Sequence, residues 1–159
     1  MTARFDLMRG YPGIMQALLG LERQVHKVGF DRTLVHLVQM RASQINGCAY
    51  CLDMHSKDAR ANGETEQRLY GLTAWRETPY YSARERAALE WTEALTLVAG
   101  TGVPDDVYER VREQFSENEL AHLTLAVVAI NGWNRLNVAA RTVPGGYVAA
   151  SLAKVQAVP

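Results

Sequence analysis

Apolar residues recur at helical spacing along almost the whole of this 159-residue chain, and that periodicity excludes most fold classes. In the stretch that begins at Pro12, Ile14, Leu18, Leu21 and Val25 fall on one face of a helix. No segment alternates polar and apolar residues for long enough to predict a β-strand. The pattern therefore predicts an all-α, multihelical fold of about seven helices.

Capping and helix-breaking residues set the expected limits of these helices. Ser82 with Glu85, and Ser116 with Glu119, have the spacing of a capping box, in which each side chain hydrogen-bonds the backbone N–H of the other residue. Glycine, and Asn-Gly or Pro-Gly pairs, separate the periodic stretches. Helices are expected at about residues 12–28, 31–46, 48–62, 65–75, 82–98, 104–114 and 116–141.

Length and composition fit one domain spanning residues 1–159, with a weakly specified apolar tail at 147–159. The 17 Lys and Arg residues balance 17 Asp and Glu residues, so the formal net charge is zero. A neutral chain is not held to nucleic acid or to an anionic membrane by bulk charge, and its weak charge repulsion favours self-association. We therefore expect neither a nucleic-acid nor a membrane partner.

The chain shows neither a membrane span nor a secretion signal. Its longest uncharged run, residues 120–134, is shorter than the ~20 apolar residues that cross a bilayer. The segment before Ile14 lacks the apolar centre of a signal peptide. The expected location is the cytoplasm.

The two cysteines of the chain, Cys48 and Cys51, form one C-x-x-C motif. A disulfide between them would close too small a loop to stabilise the fold appreciably. Redox chemistry is therefore the favoured interpretation. Two alternatives stay open: a metal site, and a pair of unreactive buried cysteines.

The helix expected from residue 48 places Cys48, Cys51 and His55 on one narrow face. In the first turn, free backbone N–H groups and the helix dipole favour a thiolate, and His55 lies one turn beyond Cys51, where it can accept a thiol proton. Closing a disulfide between i and i+3 is expected to distort that first turn. A metal site would need more ligands, and His36 could complete a Cys₂His₂ set with these three residues.

Charged and aromatic residues elsewhere have ordinary interpretations. Arg41 and Arg135 are each flanked by apolar residues and are expected in buried ion pairs, with Glu90 and Glu93 as possible partners. His26 is interpreted as a surface or core histidine, as is His122, and the three tryptophans as core or interface residues.

The stretch from Met40 to Arg60, which contains C-x-x-C-x-x-x-H at 48–55, resembles the alkylhydroperoxidase D-like core of the carboxymuconolactone decarboxylase family. The resemblance implies an all-helical fold that forms homo-oligomers, usually trimers or hexamers. It also implies a dithiol peroxidase or disulfide reductase that uses no cofactor and serves antioxidant defence. It runs from about residue 10 to 145, and is carried by C-x-x-C-x-x-x-H at 48–55 and by segments 40–60, 63–70, 74–77, 84–94 and 129–136.

Roles for individual residues follow from this resemblance. Cys51 would attack a hydroperoxide and become a sulfenic acid, Cys48 would condense with it to a disulfide, and His55 would belong to the proton relay. The relay glutamate of the relatives stands twelve residues before the first cysteine, where this chain has His36; Tyr50 lies where some relatives have histidine. A dithiol donor, such as a lipoyl-bearing protein, would restore the thiols.

Two other functions remain as alternatives at the level of sequence. The family name suggests a lactone decarboxylase, but that reaction has no need for two thiols. A non-enzymatic module that senses redox state or binds a metal would use the same cysteines.

Overall fold

Helices form all the regular secondary structure in the computed structural model, which describes residues 2–27 and 29–149. Each stretch predicted as helical contains helix, and the all-α prediction is confirmed. Residue 28 and most of the predicted tail, 150–159, lie outside the described residues. The helices are α1 Leu7–Gly10, α2 Pro12–Lys27, α3 Arg32–Asn46, α4 Ala49–Ala61, α5 Glu66–Gly71, a 3-10 helix Leu72–Glu77, α6 Ala83–Thr96, α7 Val98–Thr101, α8 Asp105–Arg112 and α9 Glu117–Ala140.

Short elements account for the differences from the predicted helix limits. The single-turn helices α1 and α7 are too short to show a periodic pattern in the sequence. The helix predicted at 65–75 is instead α5 followed by the 3-10 helix, with Ala74 outside the helical region at φ −110° and ψ 32°.

Side-chain caps begin the longer helices where the sequence predicts them. Both capping boxes are formed, between Ser82 and Glu85 and between Ser116 and Glu119. The Asp31 carboxylate accepts a hydrogen bond from the backbone N–H of Thr33 and caps α3. These caps satisfy backbone N–H groups that a helix leaves free at its start.

Helix α3 lies at the centre of the fold and packs against α4, α6 and α9. Leu37, Val38 and Ala42 on this helix are completely buried. Helix α2 packs against α9 on the other side. None of the helices in the described part of the chain combines the length and apolarity that crossing a membrane requires.

A buried network of amides fixes the end of α3 against α9. Asn46 Nδ2 donates to Asn131 Oδ1 at 3.0 Å and to Asn134 Oδ1 at 2.9 Å, and Asn134 Nδ2 donates to Ser43 Oγ at 3.0 Å. The backbone N–H of Cys48 donates to the Ser43 carbonyl at 3.0 Å. The point where the C-x-x-C begins is therefore held by two long helices.

The expected ion pairs are confirmed in part. Arg41 donates from Nε and Nη2 to Glu93 Oε1, both at 2.7 Å, with both side chains mostly buried. Glu90 pairs instead with Arg110 of α8, and Arg135 donates to the backbone and side-chain oxygens of Asn131. Arg135 therefore hydrogen-bonds to the amide network through Asn131 and not to a carboxylate of the expected pair.

Candidate active site

Cys48 is the N-cap of α4 and lies just before the helix. Gly47 ends α3 in the left-handed region at φ 64°, and Cys48 follows with extended backbone at φ −84° and ψ 93°. Its Sγ accepts a hydrogen bond from the backbone N–H of Cys51 at 3.3 Å, as the oxygen of a serine cap would. The prediction that Cys48 belongs to the first turn is corrected by one residue, because α4 begins at Ala49.

The two cysteines form a disulfide, with their Cα atoms 5.3 Å apart and both side chains almost completely buried. That Cα separation is usual for a disulfide. The first hydrogen bond of α4, from Leu52 N to the Cys48 carbonyl, is intact at 2.9 Å. The first turn of α4 therefore keeps its hydrogen bond, and the extended backbone of Cys48 is what brings the two sulfurs together.

A cavity of about 580 Å³ lies beside the disulfide, bounded by α2, α3, α4, α9 and the segments that precede α1 and follow α9. Its wall includes Cys51, His55 and His36. Cys48 does not belong to the described lining. The structure thus brings three of the four predicted site residues to one cavity and places the fourth behind Cys51, bonded to it.

Burial dominates the titration of His55. The side chain is 6% exposed, and burial, followed by the neighbouring His36, lowers the pKa of His55 to about 3. The imidazole is therefore neutral at pH 7 in the disulfide form. A thiolate at Cys51 would bring negative charge one helical turn away, which favours the protonated ring.

His36 lies in the same cavity wall, on α3. Burial lowers its pKa, while Asp58 and a hydrogen bond with Gln39 act in the opposite direction. Its Nδ1 is buried and has no hydrogen-bond partner within the described part of the protein. His36 is therefore a second neutral imidazole beside His55.

Glu22 is a site residue that the sequence interpretation missed. It lies on α2, its carboxylate accepts a hydrogen bond from Gln39 Nε2 at 3.1 Å, and it lines the cavity. Burial raises the pKa of Glu22, opposed by His26 and by hydrogen bonds from Trp133 and Gln39. The sequence did hold a signal, because Glu22 falls on the apolar face of its helix, where a charged residue is out of place.

The segment after α9, residues 142–147, crosses α4 and closes one side of the cavity; we call it the strap. Tyr147 Oη donates to Asp58 Oδ1 at 2.8 Å, and Lys57 Nζ donates to the Tyr147 carbonyl at 3.0 Å. The backbone N–H of Gly145 donates to Asp53 Oδ2 at 2.9 Å. The start of the predicted tail is therefore anchored on α4 by its polar side chains.

The open alternative of a Cys₂His₂ metal site finds no matching geometry. In residues 2–27 and 29–149, no three His, Cys, Asp or Glu side chains are grouped so that they could hold a metal ion. Cys48 and Cys51 are bonded to each other, and His36 and His55 line the cavity beside Cys51.

Comparison with known proteins extends the resemblance. Residues 12–94 match the model of the carboxymuconolactone decarboxylase family. The chain is 43% identical to YdfG of Bacillus subtilis (strain 168), an uncharacterized protein, over 87% of this chain and 95% of YdfG.

Solved structures share the fold. ATU0492 of Agrobacterium tumefaciens, a protein of unknown function named as an AhpD antioxidant-defence candidate, superposes with a TM-score of 0.88 at 40% identity, over 92% of this chain and 100% of that chain. The debrominase Bmp8 has the same fold at 19% identity, with a TM-score of 0.73 over 91% of this chain and 76% of its own. The fold is therefore AhpD-like, and the chain belongs to the carboxymuconolactone decarboxylase family.

Proposed function

We propose that this protein is a dithiol peroxidase that reduces hydroperoxides through Cys51 and Cys48. One observation carries the proposal: the two cysteines close a disulfide in which only Cys51 borders a cavity large enough for an organic molecule. A peroxidatic sulfur must meet substrate, whereas the sulfur that resolves the sulfenic acid needs to meet only its partner. The arrangement provides both conditions.

The proposed cycle begins with the reduced pair. The Cys51 thiolate attacks one peroxide oxygen, the O–O bond breaks, and an alcohol leaves after taking up a proton, so that sulfur is oxidised by two electrons and the peroxide is reduced. Cys48 then attacks the sulfenic acid at Cys51, the S–S bond forms and water leaves. A dithiol donor returns two electrons and two protons.

The position of Cys48 suits it to be the sulfur released during reduction. The donor thiolate enters through the cavity and attacks Cys51, since both sulfurs are buried and only Cys51 borders that space. Cys48 then leaves as a thiolate that accepts a hydrogen bond from the backbone N–H of Cys51. This thiolate lies at the start of α4, where the helix dipole favours negative charge. We propose a slender dithiol, such as the arm of a lipoyl-bearing protein, as the donor.

The charges of the cavity oppose the decarboxylase alternative. A decarboxylase must bind a carboxylate, which usually means a cationic side chain in the site. Within the described lining there is no lysine or arginine, and Asp6, Glu22 and Asp58 contribute acidic groups instead. An uncharged hydroperoxide meets no such repulsion.

Turnover with an external dithiol tests the proposal. The reduced protein, given tert-butyl hydroperoxide and excess dihydrolipoamide, is expected to form many equivalents of tert-butanol. With no donor, one equivalent of peroxide should consume both thiols and lower the mass of the peptide containing the motif by two hydrogens. A single turnover that dihydrolipoamide cannot repeat would favour the redox-sensing alternative, and no thiol loss would reject peroxidase chemistry.

A further inference from the structure

Glu22 contributes a carboxyl group to the cavity, and the cycle described so far gives this group no role. It reaches the cavity from α2, a helix that carries neither cysteine, and its side chain is 21% exposed. The described lining contains no lysine or arginine; among the described residues, the basic partner of Glu22 is His26, whose Nε2 lies 3.6 Å from Glu22 Oε1. Partial removal of a carboxylate from water without a firm cationic partner costs free energy.

Gln39 connects Glu22 with His36, one of the two imidazoles in the cavity wall. Gln39 donates from Nε2 to Glu22 Oε1 at 3.1 Å and also interacts with His36. His36 in turn is close enough to His55 to affect its charge. The titratable groups therefore continue around one cavity wall from the helix α2 side to the sulfur of Cys51.

A glutamine at this position could accept the same hydrogen bond from Gln39 without burying a charge. The carboxylate therefore differs from its neutral counterpart chiefly in its ability to take up and return a proton. That ability matters in the proposed cycle, because an alkoxide is a strong base and a poor leaving group until it is protonated. Burial makes both imidazoles poor bases, whereas burial raises the proton affinity of the Glu22 carboxyl. Glu22 is therefore well suited to protonate the leaving alkoxide.

We propose that Glu22 is the acid of the cycle: it takes up the proton of the Cys51 thiol and returns it to the oxygen that leaves when the O–O bond breaks. The proton crosses the cavity by way of the imidazoles or of water. One proton is moved twice and none is consumed, and the electrons flow from sulfur to the leaving oxygen. This inference rests on the proposed peroxidase function. His26, which is 63% exposed, joins Glu22 to bulk solvent.

Two oxidants that differ in leaving group test the assignment. tert-Butyl hydroperoxide releases an alkoxide that needs a proton, whereas peracetic acid releases acetate, a weak base that needs none. Glu22→Gln is expected to slow the reaction of reduced protein with tert-butyl hydroperoxide by about 10²-fold at pH 7 and to leave the reaction with peracetic acid nearly unchanged. Glu22→Asp, which keeps the acid, should recover part of the loss.

The pH profile adds a readout that a structural role would not change. Wild-type protein should react fastest with tert-butyl hydroperoxide between the titrations of the carboxyl and the thiol, and more slowly above the thiol pKa, where the shared proton is lost. In Glu22→Gln the rate should simply rise with the thiolate fraction. Other titratable groups face the same cavity and remain in both proteins: Asp6, His26, His36, Tyr50, His55, Asp58 and Tyr147.

Glu90→Gln is a matched control, because Glu90 has a similar exposed side-chain fraction of 19% but pairs with Arg110 outside the described cavity lining. It should leave both rates unchanged.

Equal losses of rate with the two oxidants in Glu22→Gln, or no loss with either, would overturn the role of Glu22. If wild-type protein reduces neither oxidant, the peroxidase proposal itself fails. If Glu22→Gln does not fold, Glu22→Asp takes its place. A wild-type pH optimum and a larger rate loss with tert-butyl hydroperoxide than with peracetic acid in Glu22→Asp would support the proposal. Equal rate losses with the two oxidants in Glu22→Asp would contradict it.

Discussion

At the scale of single residues, the site depends on what burial does to charge. His55 and His36 are kept neutral by the packing of α3 against α4, and Glu22 is made harder to ionise by the same exclusion of water. In the reduced protein, the Cys51 thiol would therefore ionise beside two neutral imidazoles. In the proposed cycle, Glu22 holds the proton taken from Cys51 until the leaving oxygen recovers it.

The low pKa of His55 predicts an acid-sensitive oxidised protein. Its folded-state pKa of about 3 lies below the ordinary value of 6.5, so the unfolded chain binds more protons between these values. The free energy of unfolding should thus be fully maintained above pH 6.5 and fall as the pH drops toward 3. His55→Gln should flatten this dependence in urea titrations across that range, with His36 retaining part of the slope.

An unchanged slope in His55→Gln would show that the His55 ring is not held neutral by the fold. Wild-type protein measured in parallel, with its disulfide intact, is the reference. A low pKa for His55 would then have to be abandoned as a feature of the site.

At the scale of secondary structure elements, the position of the disulfide comes from how two helices meet. The αL residue Gly47 and the extended N-cap Cys48 turn the chain between α3 and α4, and the amide network with α9 fixes that turn. Cys51 and His55 of helix α4 line the cavity. Asp58, further along the same helix, accepts a hydrogen bond from Tyr147 of the strap.

The strap predicts a measurable contribution to stability. Tyr147→Phe removes the hydrogen bond to Asp58 and leaves a carboxylate with one partner fewer, so the free energy of unfolding should fall by about 1 kcal/mol. Alkylation of Cys51 in the reduced protein should become faster, because the strap borders the cavity. Tyr70→Phe is the matched control, since Tyr70 is 73% exposed and its hydroxyl donates to Glu66 at the surface. Equal behaviour of the two variants would show that the Tyr147 hydroxyl does not hold the strap.

Much of this level of structure could be predicted from sequence. Capping boxes at Ser82 and Ser116 located the starts of two helices, because capping is a local interaction. The break at Ala74 could not be predicted, since no glycine or proline marks it. Which of the two sulfurs borders the cavity also could not be predicted, because that depends on how α2, α3 and α9 surround the space beside α4. Glu22 was predictable in principle from its place on an apolar face.

At the scale of the whole molecule, the fold is shared with the carboxymuconolactone decarboxylase family, whereas the cavity is described by the side chains of this chain. The family resemblance leads us to expect a trimer or hexamer. Helix α9 leaves apolar side chains such as Val128 and Val138 about half exposed in the single chain, as a helix at a subunit interface would. A neutral net charge does not oppose such assembly.

Light scattering coupled to size-exclusion chromatography tests this expectation. The predicted mass is three or six times that of the 17.7 kDa chain. Val128→Glu, which places a charge on an exposed apolar site of α9, should reduce that mass. A wild-type protein that elutes and scatters as a monomer at micromolar concentration would contradict the oligomer.

The identity of the attacking sulfur is tested most directly by trapping the sulfenic acid. Reduced Cys48→Ser and Cys51→Ser proteins are each treated with tert-butyl hydroperoxide in the presence of dimedone, and the adduct is located by mass spectrometry. The predicted result is an adduct on Cys51 in the Cys48→Ser protein and none in the Cys51→Ser protein. An adduct on Cys48 alone would mean that the sulfur outside the cavity wall is the one that meets peroxide, and the proposed order of the two cysteines would be reversed.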